Sequence, residues 1–229
     1  AGDVINNNTN KASITDGVVI DETEQKKILS ASPHEIRQML QVIQNDILPK
    51  TRDGVANGNK VFGAAILNPN FKCVCADTNA EATMGPLFHG EIKCIYAWSK
   101  QTPPQQRGPV AQSSIFLSTH EPCCMCISSI VWSGFTKVYY LFPYAITTKQ
   151  GIPHDVNTMH ELWGVNTYRK QNKYCSTRCI VDLIESLPDE DEKKDLDQLC
   201  KSIMDEYEKL SRKYHSEKGS NENNSLVLG

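Results

Sequence analysis

Two short words in this chain hold residues that bind soft divalent metals. His89-Gly90-Glu91 is one, and Glu121-Pro122-Cys123-Cys124-Met125-Cys126 is the other. In order they read H-x-E and then P-C-x-x-C. One imidazole and two thiolates are a donor set that zinc takes in catalytic sites, with a fourth position left for water. A water on zinc loses a proton near neutral pH and becomes a hydroxide nucleophile. Glu91, two residues past His89, is expected to point past the metal into the pocket and to carry protons. The two words therefore predict a hydrolytic Zn2+ site with His89, Cys123 and Cys126 as ligands and Glu91 as the catalytic proton shuttle.

Each word alone has a plainer reading. C-x-x-C also marks redox pairs and halves of structural zinc sites. A structural site would need a fourth protein ligand, and His120 and Cys124 are the nearby candidates. Cys124 is read as a buried neighbour, since adjacent cysteines point to different sides of a helix. The conjunction of both words, with Pro122 before the first cysteine and strand–helix units around each, favours the catalytic reading. Cys73 and Cys75 are expected on the same side of a strand and are read as core. His154 and His160 are read as surface or packing residues.

The elements that must position these residues follow from pattern. Ser32 and Glu35 form a capping box with Pro33 at the first helical position, and Ile36, Met39, Leu40, Ile43 and Ile47 make one apolar face. Pro49 is expected to end that helix. Lys60 to Leu67 and Phe71 to Ala76 read as a hairpin turned at Asn68-Pro69-Asn70. Gly63 and Ala64 inside the first strand leave two readings open: close approach of a ligand, or tight packing under a helix. Asp77 to Phe88 is a loop that delivers His89, and helix follows from Gly90 to about Ser99. Thr102 to Gln112 is Pro- and Gln-rich and reads as a surface insertion. Ser114 to Ser118 is a strand, Cys123 to Trp132 a helix stopped at Gly134, and Lys137 to Phe142 a strand.

Beyond that point, Pro143 to Pro153 reads as a loop and His154 to Trp163 as a short helix stopped at Gly164. Tyr174 to Leu187 has apolar residues at helical spacing. After Pro188 comes a long helix striped by Leu196, Leu199, Ile203, Tyr207 and Leu210, acidic early and basic late. Strands alternating with helices indicate a layered α/β domain. The expected organisation is a flexible arm over 1–30, a zinc domain over 31–165, a helical C-terminal extension over 166–218 and a disordered tail over 219–229.

Composition narrows the partners. The chain has 229 residues, 39% hydrophobic and 22% charged, with a formal net charge of −3. With no basic excess, nucleic acid is not the default partner. No apolar run is long enough to span a bilayer. The polar, Asn-rich start shows no signal-peptide pattern. Nine scattered cysteines, an odd number, suit a reducing compartment better than a disulfide framework, so a cytoplasmic location is expected.

Residues 60–142 resemble the cytidine deaminase-like superfamily, in particular its branch of guanine deaminases, fungal cytosine deaminase and bacterial tRNA adenosine deaminases. The matching words are Phe62-Gly63-Ala64, His89-Gly90-Glu91, Glu121 to Cys126, and Ser133-Gly134-Phe135 leading into Lys137 to Tyr140. Taken whole, the chain is more similar to a group of fungal or plant deaminase-like proteins. The resemblance implies a three-layer α/β/α fold with a five-stranded mixed sheet, zinc on His89, Cys123 and Cys126, and Glu91 as shuttle. It implies substrate contacts from Asn79, from the Gly90 backbone and from Asp155, for which a helix N-cap is the competing use. It also implies a homodimer. The middle residue of the histidine word is usually Ala in that family, and Gly here is read as harmless in size.

The function so implied is hydrolytic deamination of a small nucleobase- or nucleoside-like amino-heterocycle, with release of ammonia. Two rivals stay open. An RNA-editing deaminase would need a basic rim, for which Arg169, Lys170, Lys173 and Arg178 are the tempting cluster. A non-catalytic zinc scaffold would be expected to have lost the glutamate, and Glu91 is present.

Overall fold

The computed structural model describes residues 14–15, 18–19 and 31–221. Strand β1 (Ile14–Thr15) pairs antiparallel with β2 (Val18–Val19), Ile14 opposite Val19. The rest of the expected arm lies outside the described residues, as does the expected tail from 222 on. Residues from Ala31 onward form a separate unit, which contains the site.

Helix α1 (Pro33–Val42) starts as its capping box dictates. The Glu35 N–H donates to Ser32 Oγ at 3.3 Å, and the Ser32 N–H donates to the Glu35 carboxylate at 2.9 Å. It does not stop at Pro49. A π-helical turn, Ile43–Ile47, carries it into α2 (Leu48–Ala56). The wide turn shifts the hydrogen-bond ladder just ahead of Pro49. The proline then falls in a first helical turn, where its missing N–H costs little.

Five strands form one sheet: β3 (Gly63–Leu67), β4 (Cys73–Thr78), β5 (Ile115–His120), β6 (Lys137–Phe142) and β7 (Ser176–Cys179), in the order β4-β3-β5-β6-β7. The β4-β3-β5 side is antiparallel and the β5-β6-β7 side parallel, so the sheet is mixed, as expected. β3 and β5 are buried along their whole length because helices cover both faces. One face packs on α1, α2, α9 (Ile180–Glu185) and α10 (Glu190–Glu217), with Met39, Ile43, Leu117 and Tyr207 at its centre. The other packs on α4 (Gly90–Gln101) and α6 (Cys124–Trp132), around Ile66, Trp98, Phe116 and Phe135.

Several expectations need correcting. The hairpin carries a bulge: Ile66 faces Cys75 but Leu67 faces Cys73, leaving Val74 as the extra residue. Cys73 and Cys75 therefore sit on opposite faces, Cys73 toward α1 and Cys75 toward α4. Residues 104–113 are a helix, α5 (Pro104–Ser113), tied down where Arg107 donates to the Ser99 and Thr102 carbonyls at 2.6 and 3.1 Å. The loops on either side of the metal words contain one turn of helix, α3 (Glu81–Met84), and a short helix, α7 (Tyr144–Lys149).

The helical spacing from Tyr174 holds only from Ile180. Residues 176–179 are the edge strand, drawn into parallel pairing with β6 from Lys137 opposite Ser176 to Tyr140 opposite Cys179. Pairing with a neighbour outweighs local pattern here. The segment after 165 thus supplies a strand of the sheet as well as helices. Helix α8 (His154–Trp163) ends at Gly164, whose φ of +69° is the left-handed turn a glycine supplies. Among the described residues no helix is long and apolar enough to cross a membrane.

Candidate metal centre

Both metal words stand at helix starts. His89 is the N-cap of α4 and Cys123 the N-cap of α6, with Cys126 in the first turn of that helix. The positive ends of the two helices converge there and favour anionic ligands. His89 Nδ1 lies 3.6 Å from the Sγ of Cys123 and 3.6 Å from that of Cys126. All three donor atoms fall within 4.8 Å of one another. A tetrahedral zinc with bonds of about 2.3 Å to sulfur and about 2.0 Å to nitrogen sets its S and N ligands about 3.5 Å apart. The donor set fits that ion in type and in spacing. Burial pushes the Cys126 thiol up to about 12, so a thiolate there calls for a cation beside it.

Neither candidate fourth ligand joins the group. His120 lies stacked on Phe142 at 4.5 Å, with Phe62 and Tyr207 at its edges. Its ring nitrogens meet Thr119 Oγ1 and Gln150 Oε1, and burial pushes its pKa down to about 3. Cys124 turns toward Thr158 on α8.

The other side chains assemble around these three. Glu91, in the first turn of α4, is buried, and Ser118 Oγ on β5 donates to its Oε1 at 3.0 Å. Asp155, in the first turn of α8, lies within electrostatic reach of Glu91 and of all three cysteines of the second word. Burial first, and then the Glu91 charge, pushes its carboxyl up to about 7. Pro153, not Asp155, takes the N-cap position of α8.

Asn79 is buried at 1% exposure and binds Glu81 through both ends of its amide. Its Nδ2 donates to Glu81 Oε2 at 2.7 Å, and its Oδ1 accepts the Glu81 N–H at 3.1 Å. Glu81 carried no sequence signal, yet it stands behind the ligand: His89 Nε2 lies 3.6 Å from Glu81 Oε1, and Lys60 Nζ 3.4 Å from the same oxygen. A carboxylate behind a metal-binding imidazole fixes its tautomer and orientation. Here it leaves Nδ1 facing the sulfurs. Ser118 was likewise unmarked as a site residue, read only as the end of a strand.

Gly90 is not interchangeable with Ala. A Cβ there would lie 2.7 Å from the Phe62 carbonyl oxygen and 2.9 Å from the Gly63 Cα. Gly63 is equally confined, its would-be Cβ 2.4 Å from Ile47 Cγ2. The small residues of β3 therefore serve the close packing of helices, the plainer of their two readings.

The basic cluster disperses. Arg178 is buried on β7. Lys170 pairs with the buried Glu121, the residue that opens the second metal word, and its ammonium sits 4.0 Å from the Tyr168 ring centroid and 5.4 Å from that of Tyr144.

A mixed five-stranded sheet thus brings His, Cys and Cys to two helix N-termini, a donor set suited to zinc. Residues 37–142 match the family model described as the cytidine and deoxycytidylate deaminase zinc-binding region. That match, over just under half of the chain, supports the cytidine deaminase-like superfamily. No curated protein matches the chain. Among solved structures it is similar to guanine deaminase from Nitrosomonas europaea, at 15% identity over 79% of this chain and 86% of that one, with a TM-score of 0.45. It is similar to guanine deaminase from Bacillus subtilis at 20% identity over 58% and 86%, with a TM-score of 0.44. It is similar to a tRNA:A34 deaminase at 20% identity over 42% and 71%, with a TM-score of 0.34.

Proposed function

We propose that the protein is a zinc-dependent aminohydrolase that deaminates a small amino-heterocycle, a nucleobase, a nucleoside or an analogue. The observation that carries this reading is the buried carboxylate of Glu91, fixed by Ser118 beside three converging zinc donors. Zinc held by His89, Cys123 and Cys126 supplies Lewis acidity that makes water a nucleophile near neutral pH.

The chain's own groups then have distinct tasks. With Oε1 held by Ser118, Glu91 presents its carboxylate for proton traffic. It takes a proton from the attacking water and passes it to a ring nitrogen, and then carries the remaining proton of the added hydroxyl to the departing amine, leaving a ring carbonyl and ammonia. Asp155, held near the pH of half-protonation, is suited to receive a hydrogen bond from the substrate amine and to ease the release of ammonia. The Gly90 backbone and the Asn79 amide are the further substrate contacts. Asn79 keeps a second N–H and a second lone pair beyond its bonds to Glu81. The fold family's homodimer belongs to the same proposal and is checked by light scattering.

The test is ammonia release from a panel of amino-purines, amino-pyrimidines and their nucleosides by zinc-loaded protein. Glu91→Gln should lower kcat by about 10²–10⁴-fold with zinc retained. Zinc-loaded protein that releases no ammonia from any member of the panel defeats the proposal.

A further inference from the structure

Away from the metal centre, two cysteines from different elements face each other. Cys75 stands on β4, an edge of the sheet, and Cys94 stands on α4. Cys75 stands opposite Ile66, in regular register with β3, on the face that packs against α4. Their contacts are reciprocal: Cys75 Sγ lies 3.8 Å from the Cys94 carbonyl oxygen, and Cys94 Sγ lies 3.7 Å from the Cys75 carbonyl oxygen. Each thiol thus lies against the backbone of the other residue, a proximity that brings the two sulfurs to the same place between β4 and α4. A cysteine serving only as core volume needs no such alignment.

Access and acidity are divided between the two. Cys94 is 0% exposed, whereas Cys75 is half-buried on the open edge. The hydrogen bond from Cys94 holds the Cys75 thiol below its usual range, and burial holds Cys94 well above it. The accessible member is thus the readier nucleophile, and the buried one is placed to resolve whatever forms there.

We propose that Cys75 and Cys94 form a reversible disulfide, a redox modification site that staples the edge strand to the helix carrying Glu91. The oxidant is a low-molecular-weight disulfide such as oxidised glutathione. The Cys75 thiolate attacks one of its sulfurs, forming a mixed disulfide and expelling one glutathione thiolate. Cys94 then attacks Cys75 Sγ, giving up its proton to the second departing glutathione thiolate. Two protein thiols are oxidised by two electrons, and one glutathione disulfide is reduced to two thiols. The bridge closes a loop that contains Asn79, Glu81, His89 and Glu91, so oxidation stiffens the segment that presents the imidazole ligand and the shuttle.

The experiment uses the zinc-loaded full chain, equilibrated over a series of oxidised-to-reduced glutathione ratios, trapped by alkylation and mapped by peptide mass spectrometry alongside zinc content. A Cys75–Cys94 cross-linked peptide should accumulate with oxidised glutathione, disappear with a thiol reductant, and form without zinc loss. The urea midpoint of the cross-linked form should lie above that of the reduced form. Cys94→Ser should instead accumulate glutathione on Cys75. Cys75 that stops at the mixed disulfide in the unmodified sequence would overturn the proposal. So would a bridge from Cys75 to Cys73 or to a zinc ligand, or a pair that stays reduced across the series.

Discussion

Glycine at position 90 shows how little room one residue has in this site. An added methyl would overlap the β3 backbone, not a flexible side chain, so α4 or β3 must move. Gly90→Ala should lower stability by about 1–3 kcal/mol, in line with overpacked cores. Gly108→Ala provides the contrast, because nothing lies within 4 Å of its Cβ position on α5. It should leave stability unchanged or raise it by up to about 1 kcal/mol. Urea midpoints of the two variants check both signs.

Asp155 gives a prediction in pH. In metal-free protein its folded pKa stands near about 7 against a usual 3.8, so the unfolded chain releases the proton first. Stability should therefore fall as pH rises through that interval and level off above it. Asp155→Asn removes this dependence, and its advantage over the parent chain should be larger at pH 8 than at pH 5. An advantage that does not change with pH would show that burial of the charge is not the cause.

At the scale of elements, the anchor of the second metal word is the ion pair between Glu121 and Lys170. It ties the stretch after α8 to the residue just ahead of Pro122 and Cys123. Lys170→Met would leave Glu121, at 4% exposure, charged without its partner. Because Lys170 is partly open to solvent, the expected loss is about 2 kcal/mol, below the roughly 3–5 kcal/mol of a fully buried pair. Adding Glu121→Gln should recover part of it, and a double-mutant cycle in urea measures the coupling. Elements marked by caps and strong periodicity were legible in advance: α1 from its capping box, α4 and α6 from the metal words, α8 from Gly164. Those governed by a partner elsewhere were not. β7 is strand because β6 lies beside it, and α2 continues past Pro49 because a π-turn precedes it.

For the whole molecule, the metal links helices that enter from different parts of the chain, so binding should count toward folding. At a thousandfold excess of zinc over Kd, the linkage is worth about 4 kcal/mol. For a chain of this size that corresponds to a fall in Tm of roughly 10 °C on chelation, at about 2–4 °C per kcal/mol. Calorimetry with and without a chelator, followed by zinc add-back, checks it. Chelation that leaves Tm unmoved would mean that the three donors do not share an ion.

The amino-acid order alone determined the metal chemistry, since donor type and spacing are local: H-x-E and P-C-x-x-C each place their side chains within one turn of a helix. The alternation of strands and helices likewise announced a layered α/β domain. Tertiary structure alone decided which groups stand behind those donors. Glu81, Lys60 and Ser118 reach the site, Asp155 acquires its raised pKa, Lys170 leaves the basic cluster for Glu121, and Cys75 meets Cys94. Each of these depends on burial and on contact between residues far apart in sequence. Such contacts are set by strand register and helix packing, which no short pattern records.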